Sequence, residues 1–247
     1  MRSILLTATP LLAALVWTIA LVVRSEPFSP ASALLLGVGL LATATVATVG
    51  MIVVGGRWAH RLGLASLAMS VALAIARDID LVWVVGTVAT VIALMGLLSP
   101  AVTSTIRKLP SASGPPPPAI TPPILLLITP ALLGFVGNDA TPWALLLVGL
   151  SAPNAAFLYS RVIPGGLLAI RLIWPVMTLA LSLVLGWIAG AVAAALAIAV
   201  GLTAWDSSVK ASFHPPREAG TTLRIPTELT PREVLDAAQI DEKGHRR

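Results

Sequence analysis

Hydrophobic and polar positions divide this chain into long apolar stretches separated by short polar breaks. Residues 4–23 are apolar and end at Arg24-Ser25-Glu26-Pro27; residues 31–54 end at Gly55-Gly56-Arg57. Residues 58–76 end at Arg77-Asp78-Ile79-Asp80, and residues 81–98 at Ser99-Pro100. The pattern resumes with residues 122–136, ended by Gly137-Asn138-Asp139, and residues 143–159, ended by Ser160-Arg161. Residues 164–205 then run with a single charge, Arg171. A helix crosses the hydrocarbon core in about 20 residues, so that last run predicts two spans. The total is eight transmembrane helices, an all-α polytopic membrane protein.

The breaks repeat. Gly55-Gly56-Arg57-Trp58-Ala59-His60-Arg61-Leu62 returns 110 residues later as Gly165-Gly166-Leu167-Leu168-Ala169-Ile170-Arg171-Leu172, with five of eight positions matched. Thr9-Pro10 returns as Thr121-Pro122, Ala33-Leu34-Leu35-Leu36 as Ala144-Leu145-Leu146-Leu147, and Trp83-Val84-Val85-Gly86 as Trp187-Ile188-Ala189-Gly190. The last match sets the hairpin of the long run near Leu185-Gly186. The spans therefore read as a 4+4 tandem repeat, residues 1–100 and 122–205, joined by a proline-rich linker over 101–121. Gly114-Pro115-Pro116-Pro117-Pro118 in that linker predicts a stiff polyproline spacer. An even number of spans per copy gives parallel repeats about an axis along the membrane normal.

Charge fixes the orientation. Lys and Arg concentrate on the cytoplasmic side. With both termini inside, the inner loops and helix ends hold Arg2, Arg57, Arg61, Arg107, Lys108, Arg161 and Arg171. The outer loops hold Arg24, Arg77 and all four acidic residues that precede the tail: Glu26, Asp78, Asp80 and Asp139. The tail, residues 206–247, balances seven basic against seven acidic side chains, so the net charge of +5 belongs to the membrane part. That is a topology signal and not a nucleic-acid patch. The tail reads as mostly disordered and cytoplasmic, with a short helix near 231–240 opened by Thr230-Pro231-Arg232-Glu233 as a capping box.

Composition agrees: 57% of residues are hydrophobic and 11% charged, against about 25% charged in a soluble domain. Richness in alanine, valine and leucine with few lysines suggests a bacterial chain of the inner membrane. There is no cysteine, which removes thiolate chemistry, and no span holds an aspartate or glutamate. The histidines, His60, His214 and His245, have no ligand spacing. No metal, cofactor or catalytic set is readable, and the reading leans away from an enzyme.

The remaining candidates are polar groups in apolar surroundings. Arg61 and Arg171 lie about one turn inside the inner ends of spans three and seven, each six residues after the first glycine of a Gly-Gly pair, and predict either snorkelling anchors or paired recognition of an anionic headgroup or solute. Asn154 and Ser151 flank Pro153 and predict a polar site near mid-membrane between the repeats. Gly55, Gly56, Gly165 and Gly166, with Pro130, Pro153 and Pro175, are candidate helix breaks or hinges. Small residues spaced by four, Gly39-Thr43-Ala47 and Gly186-Gly190-Ala194, predict close helix packing within the bundle or against a partner. Two functions fit. The first is a transporter for a lipid or other anionic amphiphile, with its site around Asn154, Arg61 and Arg171. The second is a non-catalytic subunit or assembly factor of an envelope complex, binding a protein partner through residues 226–247 or the small-residue faces.

Overall fold

A computed structural model describes residues 6–54, 57–108, 117–160 and 164–213 of the chain. The predicted tail helix and the Gly114-Pro115-Pro116 part of the linker lie outside the described residues, as do Gly55 and Gly56. The described residues form helices and no strand. In order these are α1 (Thr9–Val23), α2 (Pro30–Val49), α3 (Arg57–Ala76), α4 (Leu81–Leu98) and α5 (Pro100–Lys108). They continue with α6 (Pro117–Val136), α7 (Pro142–Ser160), α8 (Pro164–Leu168), α9 (Trp174–Ser182), α10 (Trp187–Ala204) and α11 (Ser207–Phe213). Among the described residues seven helical stretches are long and apolar enough to cross a membrane, and α1 is a shorter apolar helix of 15 residues. The protein is a multi-pass membrane protein.

Local chemistry starts and stops these helices. Ser29 caps α2, its hydroxyl accepting from the Ser32 amide at 3.2 Å, and Pro30 follows where no donor is needed. Asp80 caps α4 by accepting from the Trp83 amide at 2.6 Å. Gly186 turns the chain between α9 and α10 with φ +81°, at the hairpin the repeat predicts; that backbone favours glycine because it has no Cβ. The linker differs from the extended spacer expected: α5 occupies its first part and α6 begins at Pro117, five residues before the expected span. Proline at the start of a helix loses nothing, since the first amides have no intrahelical acceptor.

Two segments are π-turns: Gly50–Val54 extends α2, and Ala169–Ile173 joins α8 to α9. In the second, the Trp174 amide reaches back to the Ala169 carbonyl. Pro175 follows and supplies no amide, so the regular ladder cannot resume at once.

The helices pack as two rings of four. In one, α1 lies against α2 and α4, and α3 against α2 and α4. In the other, α6 lies against α7 and α10, and α9 against α7 and α10. The rings join where α2 meets α6 and α7. At that seam a Cβ on Gly39 would sit 2.8 Å from the Ala131 Cα, and one on Gly134 would sit 2.6 Å from the Leu36 amide nitrogen. The two backbones touch, which only small residues allow. The buried face of α2 mixes small or weakly polar residues, Ser32, Ala33, Gly37, Gly39, Thr43, Ala44 and Ala47, with Leu35, Leu36 and Leu40. Val22, Ile75, Met95 and Leu202 face outward. This arrangement suits lipid: outside needs large apolar groups, and inside gains from close backbone approach.

Candidate functional sites

Hydrogen bonds stitch together the turns at one end of the bundle. Asp80 Oδ2 lies 2.9 Å from Arg24 Nη1 and 3.7 Å from Arg77 Nη2. The Arg77 side chain is 3% exposed, and its Nη1 also donates to the Ala20 carbonyl at 3.4 Å. One carboxylate thus serves two guanidiniums and caps α4. The Trp83 amide, with Arg24 and Arg77, holds the Asp80 carboxyl below the ordinary carboxylate range, against burial pushing the other way. In sequence, Arg77-Asp78-Ile79-Asp80 is a short polar break between two apolar runs. Here it locks α1, α3 and α4 together, and the signal for that is an arginine at each of two neighbouring turns with one capping aspartate between them. The Asn138 carboxamide grips the turn before α2 from the other ring, accepting from the Ser29 amide at 2.5 Å and donating to the Pro27 carbonyl at 2.9 Å. The Thr141 hydroxyl donates to the Val184 carbonyl at 2.8 Å.

The opposite end is basic. Arg57, Arg61 and Lys210 are exposed there. Arg171 is half-buried: its Nε donates to the Ala204 carbonyl at 2.8 Å, and its guanidinium lies 4.8 Å from the centre of the Trp205 ring. A cation at the carbonyl end of α10 is favoured by the helix dipole, and an indole face adds cation–π attraction. His60 Nε2 donates to the Leu97 carbonyl at 3.1 Å, and the Tyr159 hydroxyl to the Ala119 carbonyl at 2.7 Å.

The sequence-predicted residues do not gather at one site. Asn154 is exposed, and its amide donates to the Leu150 carbonyl one turn back at 2.8 Å. Ser151 accepts from the Trp174 indole at 3.0 Å, a bond between α7 and α9. Arg61 is exposed, whereas Arg171 is built into the protein. Gly166 is buried where α8 approaches α7, its position 2.8 Å from the Tyr159 amide nitrogen for an added Cβ, while Gly165 has open space. Pro130 and Pro175 are buried and Pro153 is half-buried. Gly39, Thr43 and Ala47 are all buried; of the second small-residue set, Gly190 is buried and Gly186 forms the turn. Among the described residues no three His, Asp or Glu side chains come together.

No protein family matches the chain, and neither a curated protein nor a solved structure matches it.

Proposed function

We propose that this chain is a non-catalytic subunit or assembly factor of a larger membrane complex. Two tandem four-helix units, with α11 (Ser207–Phe213) packed on them rather than part of a free tail as expected from sequence, form one anchor in a bacterial inner membrane, and the polar residues 214–247 dock a partner on its cytoplasmic side. The basic end of the bundle fits the cytoplasmic side.

The observation that carries this reading is the seam. A carrier built from parallel repeats binds at the repeat interface, and the interface here brings together Ser32, Leu36, Gly39, Ala131 and Gly134 with none of Asn154, Arg61 or Arg171. The seam is also one-sided. At the repeat offsets, Ser32, Leu36 and Gly39 correspond to Trp143, Leu147 and Leu150, and Ala131 and Gly134 correspond to Ile19 and Val22. All five counterparts are exposed apolar side chains. The two copies share a ring order, and one face of each has specialised in locking to the other.

The test is purification of the full chain and of a chain lacking residues 226–247 from native membranes. A stoichiometric protein partner that is lost on truncation is the expected result. No partner with the full chain, or the same partner with the truncated chain, removes the tail-docking reading.

The π-turn at Arg171 favours a second reading, a transporter for a lipid or another anionic amphiphile, because single π-turns recur at functional sites. Unchanged uptake and export of lipid by Asn154→Ala and Arg171→Ala chains in reconstituted vesicles would remove it.

A further inference from the structure

Arg171 is a buried-edge cation with an incomplete set of partners. Its Nε is satisfied by Ala204 and one guanidinium face by Trp205. Among the described residues its two Nη groups have no hydrogen-bond or ion-pair partner. The carboxylate nearest in sequence at this end, Asp206, does not neutralise it. Asp206 Oδ1 instead accepts from the Ser208 amide at 2.8 Å and from the Ser208 hydroxyl. A guanidinium at the rim of the hydrocarbon reaches the headgroup layer, where phosphate anions are available to it. The two bonds that fix this one leave the Nη pair preset as a fork, the geometry that matches phosphate oxygens.

Trp205 is 61% exposed, and an indole sits well at headgroup depth, apolar on its face and polar at its N–H. Arg171 itself lies in the π-turn Ala169–Ile173. The π-turn adds a residue to the turn that carries Arg171, next to Pro175, and the arginine meets the carbonyl end of α10. The first copy provides no equivalent: Arg61 is exposed, and its own helix is regular through that position.

We infer that Arg171, held in place by the Ala204 carbonyl and the Trp205 ring, binds the phosphate of an anionic membrane lipid through its Nη groups at the basic end of the bundle. The inference goes beyond the subunit reading and does not depend on it, since a bound lipid serves an anchor whether or not the tail has a partner.

The test is native mass spectrometry of the full chain titrated with phosphatidylglycerol, with diacylglycerol of the same acyl chains, and with inorganic phosphate. The wild type should retain phosphatidylglycerol and not diacylglycerol. Arg171→Gln should weaken retention about tenfold, as expected for the loss of one charge-assisted pair, and Arg61→Gln should leave it unchanged. Trp205→Leu keeps the charge and removes the stacking face, and should also weaken retention; it serves where Arg171→Gln does not fold. Equal retention of diacylglycerol, equal loss with Arg61→Gln, or wild-type retention by folded Arg171→Gln or Trp205→Leu would overturn the site. Displacement of phosphatidylglycerol by inorganic phosphate at equal concentration would overturn the lipid assignment and make the ligand a soluble anion.

Discussion

Gly39 of α2 faces the backbone of Ala131 in α6 so closely that an added Cβ would lie 2.8 Å from the Ala131 Cα. Backbone cannot move aside as a flexible side chain can. Gly39→Ala should therefore destabilise, and Gly39→Leu more so, by about 1–3 kcal/mol or above as in other overpacked interiors. Gly134→Ala should behave alike. The counterpart change on the other copy, Leu150→Ala, touches an exposed site and should leave the melting temperature in detergent nearly unchanged. Equal sensitivity at Gly39 and Leu150 would show that the seam does not hold the rings together.

Much of this architecture is legible in the sequence. The apolar runs, the Gly186 hairpin and the close-packing role of Gly39 follow from hydropathy, spacing and residue size. What holds the molecule across the sequence is less legible. Asp80 pairs with Arg24, 56 residues away, and Asn138 with Pro27 and Ser29, more than 100 residues away. Such pairs arise from helix adjacency, which periodicity does not carry. Asn154 is a related case. A lone carboxamide in an apolar span suggests a site, but a helix can satisfy it from its own carbonyl one turn back, as Leu150 does here.

The Asp80 knot should weaken in acid. Its carboxyl is held below its ordinary value in the folded protein. The stability it contributes is therefore complete above the ordinary carboxylate range and is lost as pH falls through the depressed folded value. Asp206, depressed by its bonds from Ser208, adds in the same direction. Asp80→Asn should lower stability at neutral pH, because Arg77 is left buried beside an uncharged group, and should flatten the acid limb of a melting-temperature profile. An acid limb as steep in Asp80→Asn as in wild type would assign the loss to other carboxylates.

Two buried threonines should respond in opposite ways to the same change. The Thr90 hydroxyl accepts from the Trp17 indole at 2.9 Å, in a core where Trp17 is fully buried. Thr90→Val strands that N–H and should cost about 1–3 kcal/mol. The Thr178 hydroxyl is buried with no hydrogen-bond partner among the described residues. Thr178→Val removes an unpaired polar group at nearly constant shape and should be neutral or stabilising, by up to about 1–3 kcal/mol. Thermal unfolding of both variants in one detergent decides this, and destabilisation by Thr178→Val would mean that its hydroxyl has a partner in the membrane.

Pro175 should control Arg171 from a distance. The ring supplies no amide, so the carbonyl of Arg171, four residues earlier, lacks its regular donor, and the turn before it is widened to the π form. Pro175→Ala restores that amide and allows a regular helix. Closing the π-turn rotates the residues on its N-terminal side by a large fraction of a turn, which carries Arg171 away from Ala204 and Trp205. The expected outcome is a folded protein at least as stable as wild type that retains phosphatidylglycerol less well. Stability and lipid retention then move in opposite directions, a split that a merely structural proline would not produce. Retention unchanged in a folded Pro175→Ala chain would show that the π-turn is not what positions the arginine.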